Sequence, residues 1–338
     1  MRARFYEGFT VYENGVGPVY VVLHGGPALG AFAYRDETAE TVGSFLVEKG
    51  GTLIISNMAR NRIYGIDMNR LPPPKAKALG MYKIFLDKPF SANAREYRKK
   101  YAWVAIDERE HEKKKKIYER FWHTTKSYGN FFVLLHRKFS LLKNYPSIMD
   151  LSTFDSKGID RNTLKIIVDK INERYKTFFE KLRVPFMTEV LSKEKQILIE
   201  AKLEKEKLDV KKLKDKYQWT LAEELKMIKN YAPPHVFDRV RSKFTISRYM
   251  RAARIAAERC GPPLVTVERF FKGKLSYGPK KFLVHPNNIV VQVELDAFFN
   301  KYYPDETSNI MFEIITSIKM AELYKKIGFS QKNIKEFL

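Results

Sequence analysis

Cysteine is almost absent. Cys260 is the only one in 338 residues, which excludes an intramolecular disulfide and any zinc site built from several thiolates. No run approaches the roughly 18 uninterrupted apolar residues a membrane-spanning helix needs. The opening stretch, Met1-Arg-Ala-Arg-Phe-Tyr-Glu-Gly8, lacks the apolar core of a secretory signal. The expectation is a cytoplasmic protein with no membrane partner. Glycine and proline, at 17 and 15, are too few for a fibrous or low-complexity chain. Acid is in short supply too, with 39 Asp+Glu against 62 Lys+Arg, for a net charge of +23. What is present is a hydrophobic share of 44% and an aromatic share of 14%, enough to build a core and exclude general disorder. The length accommodates one large domain or two ordinary ones.

The positive balance has two readings. A basic field attracts phosphate backbones and anionic ligands, which makes nucleic acid a candidate partner. Alternatively the lysines belong to solvated helix faces laced with glutamate, as in Lys202-Leu-Glu-Lys-Glu-Lys207.

Local pattern gives the architecture. Val19-Tyr-Val-Val-Leu23 is a short β-branched run ending in His24-Gly-Gly-Pro27, a buried strand feeding a loop. Val42, Phe45 and Leu46 follow at helical spacing over about 37–48, closed by Gly50-Gly51, and Thr52-Leu-Ile-Ile-Ser56 is a second strand. Strand, helix, strand at this distance is a βαβ unit and predicts a parallel sheet. Leu71-Pro-Pro-Pro74 breaks regular structure, and the charged stretch 95–120 with Lys113-Lys-Lys-Lys116 predicts an exposed helix. Asn130-Phe-Phe-Val-Leu-Leu-His136 is a further apolar run ending in histidine.

From about Asp160 to Cys260 the apolar residues recur every three or four positions, with breaks at Pro185 and Pro233-Pro234. This predicts a helical insertion or cap over 160–262, between core segments 1–159 and 263–338. The insertion is also a candidate surface for homo-oligomer contacts. Leu264-Val-Thr-Val267 and Ile289-Val-Val-Gln-Val-Glu-Leu295 return to strand, and a last amphipathic helix is expected from about Thr307 to Ile327.

Chemistry is concentrated at strand ends, where open parallel sheets bind ligands. His24 stands at one such end, with Asp36-Glu37 after it, and His136 stands at another. Two histidines and a carboxylate leave an open coordination position, the pattern of catalytic zinc. Each histidine alone is better explained as an ordinary core or surface residue; the two at strand ends, with an acid between them, make the metal reading its equal. Asp67-Met-Asn69-Arg70, behind Arg60-Asn-Arg62, offers planar donors for a carboxylate or is a plain polar loop. Glu294, in Val291-Gln-Val-Glu-Leu295, faces either a site, where burial would raise its pKa, or solvent on an edge strand.

Taken together, these segments resemble the N-formylglutamate amidohydrolase family of zinc carboxypeptidase-like hydrolases. The matching residues are Leu23-His24-Gly25-Gly26, Asp36-Glu37-Thr38, Arg62-Ile-Tyr-Gly-Ile-Asp67-Met-Asn69-Arg70, His136 and Gln292-Val-Glu294, over about 1–155 and 262–300. The sequence departs from the family where Asp-x-His-Ser reads Leu134-Leu-His136-Arg137, and where Arg62 stands one residue further upstream of Asp67. The resemblance implies a mixed, largely parallel α/β sheet flanked by helices, phosphorylase/hydrolase-like. It further implies zinc held by His24, His136 and either Asp36 or Glu37, with Glu37 preferred. Glu294 would be the general base and then acid, and Arg62 would face charge developing on the substrate. Asn69 and Arg70 would clamp the α-carboxylate of an N-formyl or N-acyl amino acid, and Asp67 would fix the arginine loop. The rival reading is a basic nucleic-acid-binding protein on a degenerate hydrolase core.

Overall fold

Four consecutive buried side chains, Val19 to Val22, form strand β3 (Val19–Val22), covered on both faces as a parallel sheet interior requires. A computed structural model describes residues 1–29, 36, 38–200, 221–269, 271, 283 and 285–327. After β3 comes helix α1 (Ala39–Glu48), which buries Val42, Leu46 and Val47, and then β4 (Gly51–Ser56), paired parallel to β3 from Val19↔Thr52 to Val22↔Ile55. The βαβ unit read from the sequence is therefore present.

Ahead of it lies an antiparallel hairpin, β1 (Arg2–Tyr6) and β2 (Phe9–Asn14), that the apolar pattern did not signal. Its turn is Glu7-Gly8, with Gly8 at φ 87°, a conformation only glycine adopts without strain. The remaining strands are β5 (Phe131–Lys138), β6 (Ser147–Ser152), β7 (Leu264–Val267) and β8 (Ile289–Asp296). They complete an eight-stranded mixed sheet in the order β1-β2-β4-β3-β5-β8-β6-β7. The pairs β4/β3, β3/β5 and β5/β8 are parallel, while β1/β2 and β2/β4 are antiparallel. The fold is thus α/β, as the βαβ pattern predicts.

The charged stretch 95–120 forms two helices rather than one exposed helix. They are α3 (Ala92–Lys100) and α4 (Glu108–Ser127), following α2 (Lys75–Asp87). Between them, Ala102 to Ala105 are fully buried, with Asp67 N–H donating to Ala102 O and Val104 N–H to Arg62 O. Nor is α4 wholly exposed. Ile117, Tyr118, Phe121 and Trp122 pack with Trp103 on Val19, Val21, Phe132 and Leu134, one face of the sheet. Burying a side chain of that size contributes about 1.5–3 kcal/mol. The opposite face is covered by α1, against which α11 (Pro304–Lys326) packs, with the short α10 (Ala297–Tyr302) before it.

Two compact units divide the chain. One comprises 1–138, 150–170 and 267–338; the other comprises 139–149 and 171–266. The second unit is the mainly helical one, and it takes in 139–149 as well as 171–266. Helix α5 (Arg161–Arg174) crosses from the first unit into the second, which holds α6 (Lys176–Glu200), α7 (Leu221–Tyr231), α8 (Pro234–Ser242) and α9 (Ile246–Cys260). Pro185 does not break α6, as its sequence position suggests it would. It lies on the exposed side, where water can take the carbonyl its missing N–H would have engaged. The Lys202–Lys207 stretch lies outside the described residues.

Inside this unit two acids are fully buried, Glu194 of α6 and Glu224 of α7, close to the buried Tyr249 of α9. Burial first, and then the charge of Glu194, push Glu224 well above the usual carboxyl range, opposed by Lys143, while Glu223 adds to the rise. A raised pKa means that folding prefers the protonated acid. Its stabilising contribution is complete below the unfolded-chain value and is lost as pH rises toward the folded one. We expect Glu224→Gln to raise the unfolding midpoint at pH 8 and leave it nearly unchanged at pH 4, read by urea denaturation. Equal shifts at both pH values would contradict a titrating origin.

Candidate metal centre

The site forms at the carboxyl ends of the strands. β5 and β8 run parallel with His136 opposite Glu294, so the two side chains leave the same face of neighbouring strands. Strand β3 stops at Val22. Leu23 stays in the core, and the turn at Leu23–His24 brings the His24 ring to 5.2 Å from that of His136. Two glycines let this happen. A Cβ on Gly26 would overlap Met58 O, and one on Gly65 would overlap Ala59 O, so the His24 loop and the 57–70 loop close onto neighbouring backbone.

Asp36 joins the two histidines. Its Oδ2 lies 3.0 Å from His24 Nδ1 and 3.1 Å from His136 Nδ1, and its N–H donates to His24 O. All three residues are buried, and one ligand atom from each lies within 4.8 Å of the others. Burial opposes ionisation of Asp36, but the charges and hydrogen bonds of His24 and His136 outweigh it and hold the group well below the usual carboxylate range. Burial likewise lowers His136, and its bond to Asp36 raises it above the ordinary histidine value. Asp36 supplies the acidic position; Glu37 lies outside the described residues.

Asp67 does not replace the acid missing from the sequence around His136; it stands behind the other imidazole, its Oδ1 2.9 Å from His24 Nε2. A carboxylate behind a ligating histidine fixes the tautomer and leaves the other nitrogen as donor to a metal. His24 Nδ1 and Asp36 Oδ2 face each other at 3.0 Å, a separation that either a proton on the imidazole or a cation bridges. His136 Nε2 is buried with no hydrogen-bond partner, a further nitrogen available to an ion. Two imidazoles and one carboxylate are a donor set that could hold a metal ion.

Arg62 does not face open space. Its guanidinium donates to the carbonyls of Arg60, Arg98 and Tyr101, and its Nη1 lies 2.7 Å from Asp67 Oδ2. Burial draws it down to about 10, against the pull of Asp67. The Arg62 nitrogens hold Asp67 and the carbonyls of the loop. The arginine nearer the site is Arg60, half-buried, 3.5 Å from Asp67 Oδ2, and within reach of the charges of Asp36 and Glu294. Its position two residues before Arg62 was the available signal.

Asn69 and Arg70 stand beside this group, both half-buried. Asn69 N–H donates to Asp67 Oδ1, and Arg70 donates to Arg98 O and Asn69 O. Glu294 is half-buried and accepts from Gln292 Nε2 at 2.9 Å; burial raises its pKa. His24, Asp36, Asp67 and His136 are thus brought together, with Glu294 adjacent on β8.

No protein-family model matches the chain, and no curated protein matches it. Among solved structures, the crystal structure of gene product Atu2144 from Agrobacterium tumefaciens is similar at a TM-score of 0.43 and 12% identity, covering 93% of this chain and 95% of that one. At that distance the likeness assigns nothing to this chain.

Proposed function

We propose that this protein is a metal-dependent hydrolase of linear amide bonds, acting on an N-formyl or N-acyl amino acid. The observation that carries the reading is the single Asp36 oxygen shared between His24 and His136, with Asp67 behind His24. A zinc ion bound by His24, Asp36 and His136 would supply Lewis acidity toward a carbonyl oxygen and a water molecule. Glu294 takes the proton of the attacking water and delivers it to the leaving amine nitrogen as the C–N bond breaks, giving a carboxylic acid and a free amino group. Its raised pKa suits a group that must both accept and donate. Arg60 stabilises negative charge gathering on the carbonyl oxygen. Arg70, with Asn69, takes the α-carboxylate. Asp67 keeps the His24 ring in place.

Elemental mass spectrometry tests the centre. We expect about one equivalent of metal per chain after zinc is supplied, lost in His24→Ala and in His136→Ala. The wild type should then hydrolyse a member of a panel of N-formyl and N-acyl amino acids. A wild-type protein that binds neither zinc, iron nor manganese would overturn the reading.

A further inference from the structure

The helical unit carries a feature that amide hydrolysis does not use. Residues 234–260 hold seven Lys/Arg and two Asp/Glu, and six of the seven cations are arginine. They fold as α8, a three-residue turn (Lys243-Phe244-Thr245) and α9, with the Thr245 side chain capping the Arg248 N–H. Helix α7 packs against both.

Helix α9 has two distinct faces. Tyr249, Ala252, Ala253, Ala256 and Ala257 are buried, and small alanines let a helix approach its neighbours closely. The other face exposes Arg248, Arg251, Arg254 and Arg259. From Arg248 to Arg259 this arginine row runs for about 16 Å along the helix. Among the described residues, no carboxylate forms an ion pair with any of these four arginines. Elsewhere the surface cations behave differently, as in Lys193–Glu189 at 2.8 Å and Lys113–Glu7 at 3.0 Å. The salt-bridged surface that would explain the excess charge without a partner is therefore missing here.

We propose that α8 and α9 form a helix-turn-helix that binds duplex DNA, with α9 in the major groove and Arg248, Arg251 and Arg254 on phosphates and base edges. Two helices joined by a short turn, the second presenting its outer face, is the arrangement that places a helix in that groove. A helix about 10–12 Å across fits a groove about 12 Å wide. Guanidinium is the group suited to the task, since its planar donors match both phosphate oxygens and the guanine edge. The narrow major groove of duplex RNA would not admit it. A membrane surface fits less well, because among the described side chains of 223–269 no large apolar one is exposed. The α8–α9 pair lies in the helical unit, so this proposal stands or falls independently of the hydrolase reading.

The test is fluorescence anisotropy of a labelled mixed-sequence DNA duplex against the full chain over a range of salt. Three proteins are compared: the wild type, Arg248→Gln/Arg251→Gln/Arg254→Gln, and a control, Arg109→Gln/Lys116→Gln/Arg120→Gln, which removes the same charge from α4. All six positions are exposed, and unfolding midpoints confirm that both variants fold. We expect the α9 variant to lose at least about tenfold in affinity at ~0.15 M salt, with the log–log salt slope smaller by about 2–3. The α4 variant should stay within about threefold of wild type. Equal losses in both variants would attribute binding to net charge alone and overturn the proposal. So would the absence of salt-dependent binding by the wild type, or tighter binding to duplex RNA or to phosphatidylserine vesicles than to DNA.

Discussion

Glu294→Gln is expected to lower turnover by about 10²–10⁴-fold while leaving the metal content at the wild-type level. The amide keeps the shape of the carboxyl and its contact with Gln292, but it cannot accept a proton from water. Because His24, Asp36 and His136 form the donor group without Glu294, the ion should remain bound. The separation of the two readouts is what makes the result informative. Loss of activity with metal retained identifies Glu294 as the proton-transfer group. Loss of both would make it a ligand or a structural support. Retention of activity would remove the proposed mechanism altogether. Glu294→Asp is the companion variant: it draws the carboxylate back toward the strand and should recover part of the rate.

The second large effect concerns Asp67, which is fully buried and holds two systems at once. Oδ1 receives His24 Nε2 and the Asn69 N–H; Oδ2 lies 2.7 Å from Arg62 Nη1. In Asp67→Asn, one position becomes an NH₂ donor. Whichever way the amide turns, that donor faces either Arg62 or the His24 and Asn69 N–H groups. Arg62 is then left buried without its counter-charge, and breaking a buried ion pair from one side costs about 3–5 kcal/mol. Burial opposes ionisation of Asp67, but Arg62, His24 and Arg60 hold it well below the usual range. A depressed pKa gives stability that is present above the unfolded-chain value near 4 and is lost as pH falls toward the folded value. Urea unfolding should therefore show the full difference between wild type and variant at pH 7 and a smaller one at pH 3. A difference unchanged with pH would assign the effect to shape rather than charge. Metal affinity should fall as well, by about 10–100-fold, since His24 loses the group that orients it.

Much of this was legible from local pattern. Four β-branched and aromatic residues before His24-Gly-Gly, a helical spacing, and Thr52-Leu-Ile-Ile specify β3, α1 and β4, because strand and helix periods are written in neighbouring residues. The same rule placed His24 and His136 at strand ends. It faltered where context overrides the period. Pro185 is carried within α6 because its side faces water, and the strongly charged 108–127 stretch still buries Tyr118 and Trp122.

What the sequence determined by itself is the kind of element each segment forms and the strand ends where polar residues collect. The tertiary structure alone decided which of those residues meet. Asp36 touches His136 across 100 positions, and Asp67 touches His24 across 43, distances over which no periodicity carries information. Tertiary packing also set two neighbouring arginines apart, drawing Arg62 into the carbonyls of the 98–101 backbone while Arg60 stayed half-exposed. A side chain's residue type gives its chemistry, but its burial and its partners follow from which segments the sheet brings side by side.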